Sequence, residues 1–289
     1  MTFRTMLFAP ANHERRVAKA LMSEADAVIL DLEDAVADSE KLFARQCATL
    51  ALKATRRSKL YVRINGLVTP WCRGDVESLI GKGLDGIVVP MIETAEQLFA
   101  IEWLISSIEH DLRIGVGTTD IIPIIETARG FVNLQSICKS IGRAKRLSFG
   151  AGDFTHDLGM KWTHDELELL PYRSQIVLAS RNIRIEPPLD TVWIQLEDSE
   201  GFSLSAKRAK ALGFQGKMCI HPDQIRPCLD AFAPTPEEME EAQEIVDRFS
   251  EAEARGLASI RVNGRFVDYP IALEAKRIIE EVLHRSRQL

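Results

Sequence analysis

Asp26-Ala27-Val28-Ile29-Leu30-Asp31-Leu32-Glu33-Asp34 is apolar at successive positions and then abruptly acidic. An amphipathic helix spaces its apolar residues three and four apart, and a half-buried strand alternates them. An unbroken apolar run belongs instead to a parallel strand covered on both faces. Ile87-Val88-Val89 has the same character, and working outward gives eight short apolar, β-branched runs, several of them unbroken, at 5–9, 27–32, 60–64, 86–91, 121–125, 146–150, 189–194 and 217–220. Helical patterns separate them. Thr94 and Gln97 form a capping-box pair, for example, and Leu98, Ile101, Leu104, Ile105 and Ile108 then recur at helical spacing. Eight strand–helix units predict an α/β protein built as a closed (β/α)8 TIM barrel. An open doubly wound sheet shares the alternation, because periodicity does not report closure.

The chain has 289 residues, more than the ~250 that one barrel uses. The break Ala233-Pro234-Thr235-Pro236 follows the eighth run, so the barrel is predicted over 1–232 and a C-terminal helical lid segment over 233–289. Thr235, Pro236 and Glu238 read as a capped helix start, and Gly256 as its stop. Asn263-Gly264 then suits a hairpin turn, and Ile271, Ala275, Ile278, Ile279, Val282 and Leu283 stripe a last helix.

Composition narrows the function classes. Hydrophobic residues at 46% and charged residues at 27% describe a globular chain. The net charge of −6, with no long cationic stretch, speaks against nucleic acid as a partner. The apolar patch at 6–11 is too short for a signal sequence, and no run reaches the ~18 apolar residues of a membrane span. Five cysteines without a C-x-x-C pair suggest neither a disulfide framework nor a cysteine zinc site, so a reducing cytoplasm is expected.

One motif is misleading. Gly81-Lys82-Gly83-Leu84-Asp85-Gly86 matches G-x-G-x-x-G, but it follows a helix and opens a strand, the reverse of a dinucleotide fingerprint. Walker, G-x-S-x-G and H-E-x-x-H sequences are absent. His221, at the end of the eighth run, reads better as a packed residue beside Pro222 than as a functional one.

In a (β/α)8 barrel the active site forms where the strands end, so the polar residues just past each run are the ones to collect. They are acidic: Asp31, Glu33 and Asp34 after the second run, Glu126 after the fifth and Asp153 after the sixth, with Arg63 on the third. Carboxylates crowded in this way repel one another, and a divalent metal would relieve them. Oxygen ligands without Cys or His favour Mg²⁺, or Mn²⁺, over zinc. The plainer reading has Glu126 and Asp153 capping helices and Arg63 in a structural ion pair.

The blocks 7–12, 26–36, 62–66, 125–130, 149–154 and 216–222, with Val267-Asp268-Tyr269-Pro270 in the tail, resemble the citrate lyase β-subunit-like branch of the HpcH/HpaI aldolase family. The resemblance implies a TIM barrel with a C-terminal lid, a homotrimer or hexamer with shared sites, and Mg²⁺-dependent C–C cleavage of a short 3-hydroxyacyl-CoA. Acetyl-CoA and a 2-keto acid would be the products. By position it makes Glu126 and Asp153 the metal ligands and Arg63 the grip on the substrate carboxylate. Glu33 and Asp34 would surround metal-bound water, the amides about Gly152 would hold the keto-acid carboxylate, Asp268 would be the catalytic acid, and Arg4 and Arg16 would contact CoA. Citramalyl-CoA or malyl-CoA lyase activity is the expectation. A β subunit of a citrate lyase complex is the alternative, and a silent CoA-ester-binding barrel a remote one.

Overall fold

The computed structural model describes residues 3–81 and 83–286. Contacts divide the chain into two compact units, Met1–Phe232 and Ala233–Leu289. In the first, eight parallel strands close into a barrel: β1 (Thr5–Pro10), β2 (Ala27–Asp31), β3 (Lys59–Arg63), β4 (Gly86–Val89), β5 (Asp120–Ile125), β6 (Ser148–Phe149), β7 (Leu189–Asp190) and β8 (Gly216–Cys219). The seam is the parallel pairing of β1 with β8, Thr5↔Lys217 through Leu7↔Cys219. The open-sheet alternative is thereby excluded.

Successive side chains of a strand face opposite ways, so each apolar run feeds two cores. Val28, Leu30, Leu60 and Val62 pack outward beneath the helices. Met6, Ile29, Tyr61, Val88, Ile122 and Met218 fill the interior. This double burial explains why the runs are continuous. At the N-terminal end of the barrel Tyr61 donates to Asp120 at 2.8 Å, and Arg146 pairs with Asp120 at 2.9 Å and lies over Phe3.

β6 and β7 are shorter than the runs at 146–150 and 189–194 suggest. Arg146 is spent on that polar floor. Beyond Asp190 the chain leaves the ladder at Thr191, whose hydroxyl takes a hydrogen bond from Ala151 N–H at 2.9 Å.

Local signals appear where the residues demand them. The Thr94 capping box starts helix Ala95–Asp111. Gly81 and Gly83, ahead of β4, have φ of +79° and +88°. His221 accepts from Asp223 N–H at 3.3 Å and heads the short turn Pro222–Gln224.

In the second unit the Thr235 capping box starts helix Pro236–Ala254, and β9 (Ser259–Val262) pairs antiparallel with β10 (Arg265–Asp268) through Asn263-Gly264, both at positive φ. Helix Tyr269–Ser286 follows. Among the described residues no helix is long and apolar enough to cross a membrane.

Candidate active site

The register of β2 against β3 places Asp31 beside Arg63. Neighbouring residues of paired strands face the same way, so carboxylate and guanidinium meet inside the barrel mouth. Arg63 Nε and Nη2 grip the two oxygens of Asp31 at 2.7 and 2.6 Å. Nη1 serves Glu33 at 2.9 Å and Asp34 at 3.2 Å. Phe8 lies against the guanidinium carbon, 4.9 Å from ring centroid to Cζ.

The two-pronged edge of Arg63 is therefore committed to Asp31, and only Nη1 is shared with groups a substrate carboxylate could replace. Burial alone would raise the Asp31 pKa, but Arg63 and the backbone N–H groups of Glu33 and Ala35 hold it below the ordinary value. Glu33 moves the other way, to about 7, because burial outweighs Arg63, and Asp34 and Asp31 add negative charge.

Glu126, just past β5, is 3% exposed. One of its oxygens accepts Met91 N–H at 2.7 Å. Met91 holds φ of +54°, a left-handed conformation unusual for a side-chain-bearing residue, and it turns the chain after β4 there. Burial pushes the Glu126 carboxyl up to about 8, the Met91 N–H opposes the shift, and Asp153 adds repulsion. Gly150 makes room for this carboxylate: a Cβ there would collide with its oxygen and lie 2.7 Å from the Glu126 Cβ.

Asp153 stands in the first turn of helix Ala151–Asp157. The amides of Gly152 and Asp153 precede any carbonyl that this helix can offer them.

A buried carboxylate whose anion is disfavoured, with a second carboxylate beside it, fits a hard divalent cation. Among the described residues no three His, Cys, Asp or Glu side chains enclose such an ion, so Glu126 and Asp153 would need oxygens from elsewhere to complete a shell.

Arg63, Glu33, Asp34, Glu126, Gly152 and Asp153 all belong to the mouth. Arg4 does not. It precedes β1 at the opposite end of the barrel, where it pairs with Asp26 at 3.5 Å. Strand polarity thus places Arg4 away from the mouth of its own barrel. Arg16 is exposed in helix Glu14–Leu21, near the helix start and so on the mouth side. Asp268 ends β10 in the second unit, where it accepts Ile271 N–H at 3.5 Å at the start of the last helix. The sequence gives Asp31 no role and does not point to Met91 at all. Asp31 was visible as a strand-end acid, whereas nothing in the sequence marks the Met91 backbone.

Residues 4–222 match the model of the HpcH/HpaI aldolase/citrate lyase family. The citrate lyase subunit beta of Leuconostoc mesenteroides subsp. cremoris is 37% identical over 279 residues, covering 96% of this chain and 92% of that protein. The (3S)-malyl-CoA thioesterase of Cereibacter sphaeroides is 31% identical, covering 92% and 90%. The solved structure of Mycobacterium tuberculosis CitE in complex with magnesium, acetoacetate and coenzyme A superposes with a TM-score of 0.81 at 28% identity, covering 96% of this chain and 97% of that one. With its closed barrel and these relatives, the chain belongs to the HpcH/HpaI aldolase/citrate lyase family, in the citrate lyase β-subunit-like branch.

Proposed function

We propose that the protein is a Mg²⁺-dependent carbon–carbon lyase that cleaves a short 3-hydroxy-dicarboxyl-CoA of the citramalyl-CoA or malyl-CoA type into acetyl-CoA and pyruvate or glyoxylate. The observation that carries this reading is the buried Glu126 carboxylate, raised to about 8 although Arg63 opposes the shift, and set beside Asp153. A metal held by Glu126 and Asp153 would supply positive charge to the carboxylate and α-oxygen of the keto-acid half. Arg63 Nη1, released by Glu33 or Asp34, would take the substrate carboxylate, and Asp31 would keep the guanidinium aimed. The amides of Gly152 and Asp153 would bind the same carboxylate from the other side.

Retro-Claisen cleavage removes the hydroxyl proton, breaks the C–C bond to leave the keto acid, and delivers the electron pair to the thioester as an enolate. Glu33, raised to about 7 and beside Asp34, is suited to carry the first proton. A second proton must reach the enolate carbon to give acetyl-CoA. We assign that role to Asp268 of a second copy in a homo-oligomer. Val68, Met91, Leu167, Ile194 and Ile220, in segments after β3, β4, β6, β7 and β8, expose apolar side chains that such a lid would cover. Arg16 remains the CoA-contact candidate on the mouth side.

The 37% identical citrate lyase β subunit favours a second reading, a citryl thioester cleaved to oxaloacetate. That alignment runs over 96% of this chain, so possession of the tail does not separate the two readings. Purified protein with Mg²⁺, offered malyl-, citramalyl- and citryl-CoA, should release acetyl-CoA from one of the first two. Release from citryl-CoA alone would favour the second reading. No release from any, with folded protein, would contradict the lyase assignment.

A further inference from the structure

We infer that Thr191 is a positioning residue for the metal site: its hydroxyl holds the turn that carries Gly152 and Asp153. This inference rests on the reading of Asp153 as a metal ligand.

The need arises from Glu126. Its carboxylate and Cβ fill the space where a side chain at residue 150 would stand, and Ile124 closes that space at 2.9 Å, so residue 150 must be glycine. Gly150 is also the residue before helix Ala151–Asp157, the place from which a Ser, Thr, Asp or Asn side chain would cap the first turn. The residue that admits Glu126 therefore leaves the Asp153 turn without a cap of its own.

The sheet compensates on one side only, where Gly150 N–H donates to Ile125 O of β5 at 3.2 Å. Ser148↔Leu189 is the one ladder pair that joins β6 to β7, and the turn lies beyond it. Thr191 fills the gap from the neighbouring strand, accepting the buried Ala151 N–H at 2.9 Å. Thr191 is itself 2% exposed. The preceding residue, Asp190, is clamped by Arg173 at 2.8 Å and by Lys217 at 2.6 Å. One dipeptide thus fastens β7 to the outer layer through Asp190 and fastens the Asp153 turn to β7 through Thr191. Glu126, pressed on Gly150, and Asp153, three residues further on, are set relative to each other by that turn.

Calorimetric titration with Mg²⁺ alone tests the inference on Thr191→Val, which keeps the branched shape and loses the acceptor, and on Thr191→Ser, which keeps the acceptor. Ser180→Ala, which removes a buried hydroxyl bonded to Ile176 within an outer helix, controls for loss of stability. Thr191→Val should weaken Mg²⁺ binding by about tenfold or more, the scale on which groups that orient a ligand act. Thr191→Ser should restore it, and Ser180→Ala should bind as the wild type does. If Thr191→Val does not fold, Thr191→Ala replaces it in the same comparison. Wild-type Mg²⁺ affinity in a folded variant lacking the hydroxyl, even with a lowered Tm, would overturn the role of Thr191. A wild-type protein that takes up no Mg²⁺ would instead overturn the metal-site reading and this inference with it.

Discussion

Glu126 and Asp190 lie in one barrel and are almost equally withdrawn from water, at 3% and 0% exposure, yet their acidities move in opposite directions. Glu126 is pushed up to about 8 by burial, with Asp153 adding to the shift. Asp190 is held below the ordinary value although burial opposes it, because Arg173 and Lys217 both stand against it. Burial sets the cost of a charge, and its partners decide whether that cost is met. In the barrel wall the chain provides the partners: Arg173 also takes Glu166 at 3.0 Å, and Ser205 donates to Glu166 at 2.7 Å. At the mouth Arg63, gripped by both oxygens of Asp31, offsets the burial of Glu126 only in part, and Asp153 adds repulsion. A fold able to neutralise buried acids in one place, and leaving Glu126 raised beside the half-buried Asp153 in another, suits a cation from solution.

The contrast is sharpest when one charge is removed from each region. Glu126→Gln should lower turnover by about 10³-fold or more, since it deletes a metal ligand and the several kcal/mol of charge stabilisation that goes with it. Its metal-free thermal stability at neutral pH should be unchanged or raised, because an uncompensated buried acid is gone. Asp190→Asn should do the reverse, costing about 3–5 kcal/mol of stability by stranding Arg173 and Lys217. Turnover assays beside thermal melts read both. An Asp190→Asn protein as stable as the wild type, or a Glu126→Gln protein with full activity, would erase the distinction.

pH gives a smaller handle. The unfolded chain loses the Glu126 proton near 4.5, and the folded metal-free protein keeps it to about 8. Between those values the folded state binds the extra proton, so the contribution of this group to stability falls as pH rises. Mg²⁺ must displace the proton. Its affinity should therefore climb about tenfold per pH unit below 8 and level off above, the slope of a single competing proton. Titrations across that range check it, and an affinity independent of pH would show that Glu126 is already ionised when the metal arrives.

Much of this is legible in the sequence alone. Unbroken apolar runs such as Val28-Ile29-Leu30 mark strands buried on both faces, and the Thr94 and Thr235 boxes and the Asn263-Gly264 turn act within a few residues of chain. The acids of the mouth follow from strand polarity alone. Polarity likewise places Arg4, which precedes its strand, at the other end of the barrel. Contacts set by register between distant segments were hidden. Asp31 meets Arg63 across 32 residues and Thr191 meets Ala151 across 40, and no local pattern encodes either. The left-handed Met91 is likewise a product of tertiary packing, since its own side chain disfavours that conformation. β6 and β7 fall short of their runs for a related reason: Arg146, ahead of β6, turns to Asp120 and Glu186, and Thr191, past β7, accepts Ala151 N–H on its hydroxyl.

The central claim is that Glu126 and Asp153 together hold a divalent cation, and it can be tested by locating one. Crystals grown with Mn²⁺ in place of Mg²⁺ should show an anomalous difference peak between the two carboxylates, at about 2.0–2.2 Å from an oxygen of each. The Glu126→Gln protein, crystallised in the same way, should lose it. A peak confined to other residues, or one that persists undiminished in the Glu126→Gln crystal, would contradict the account.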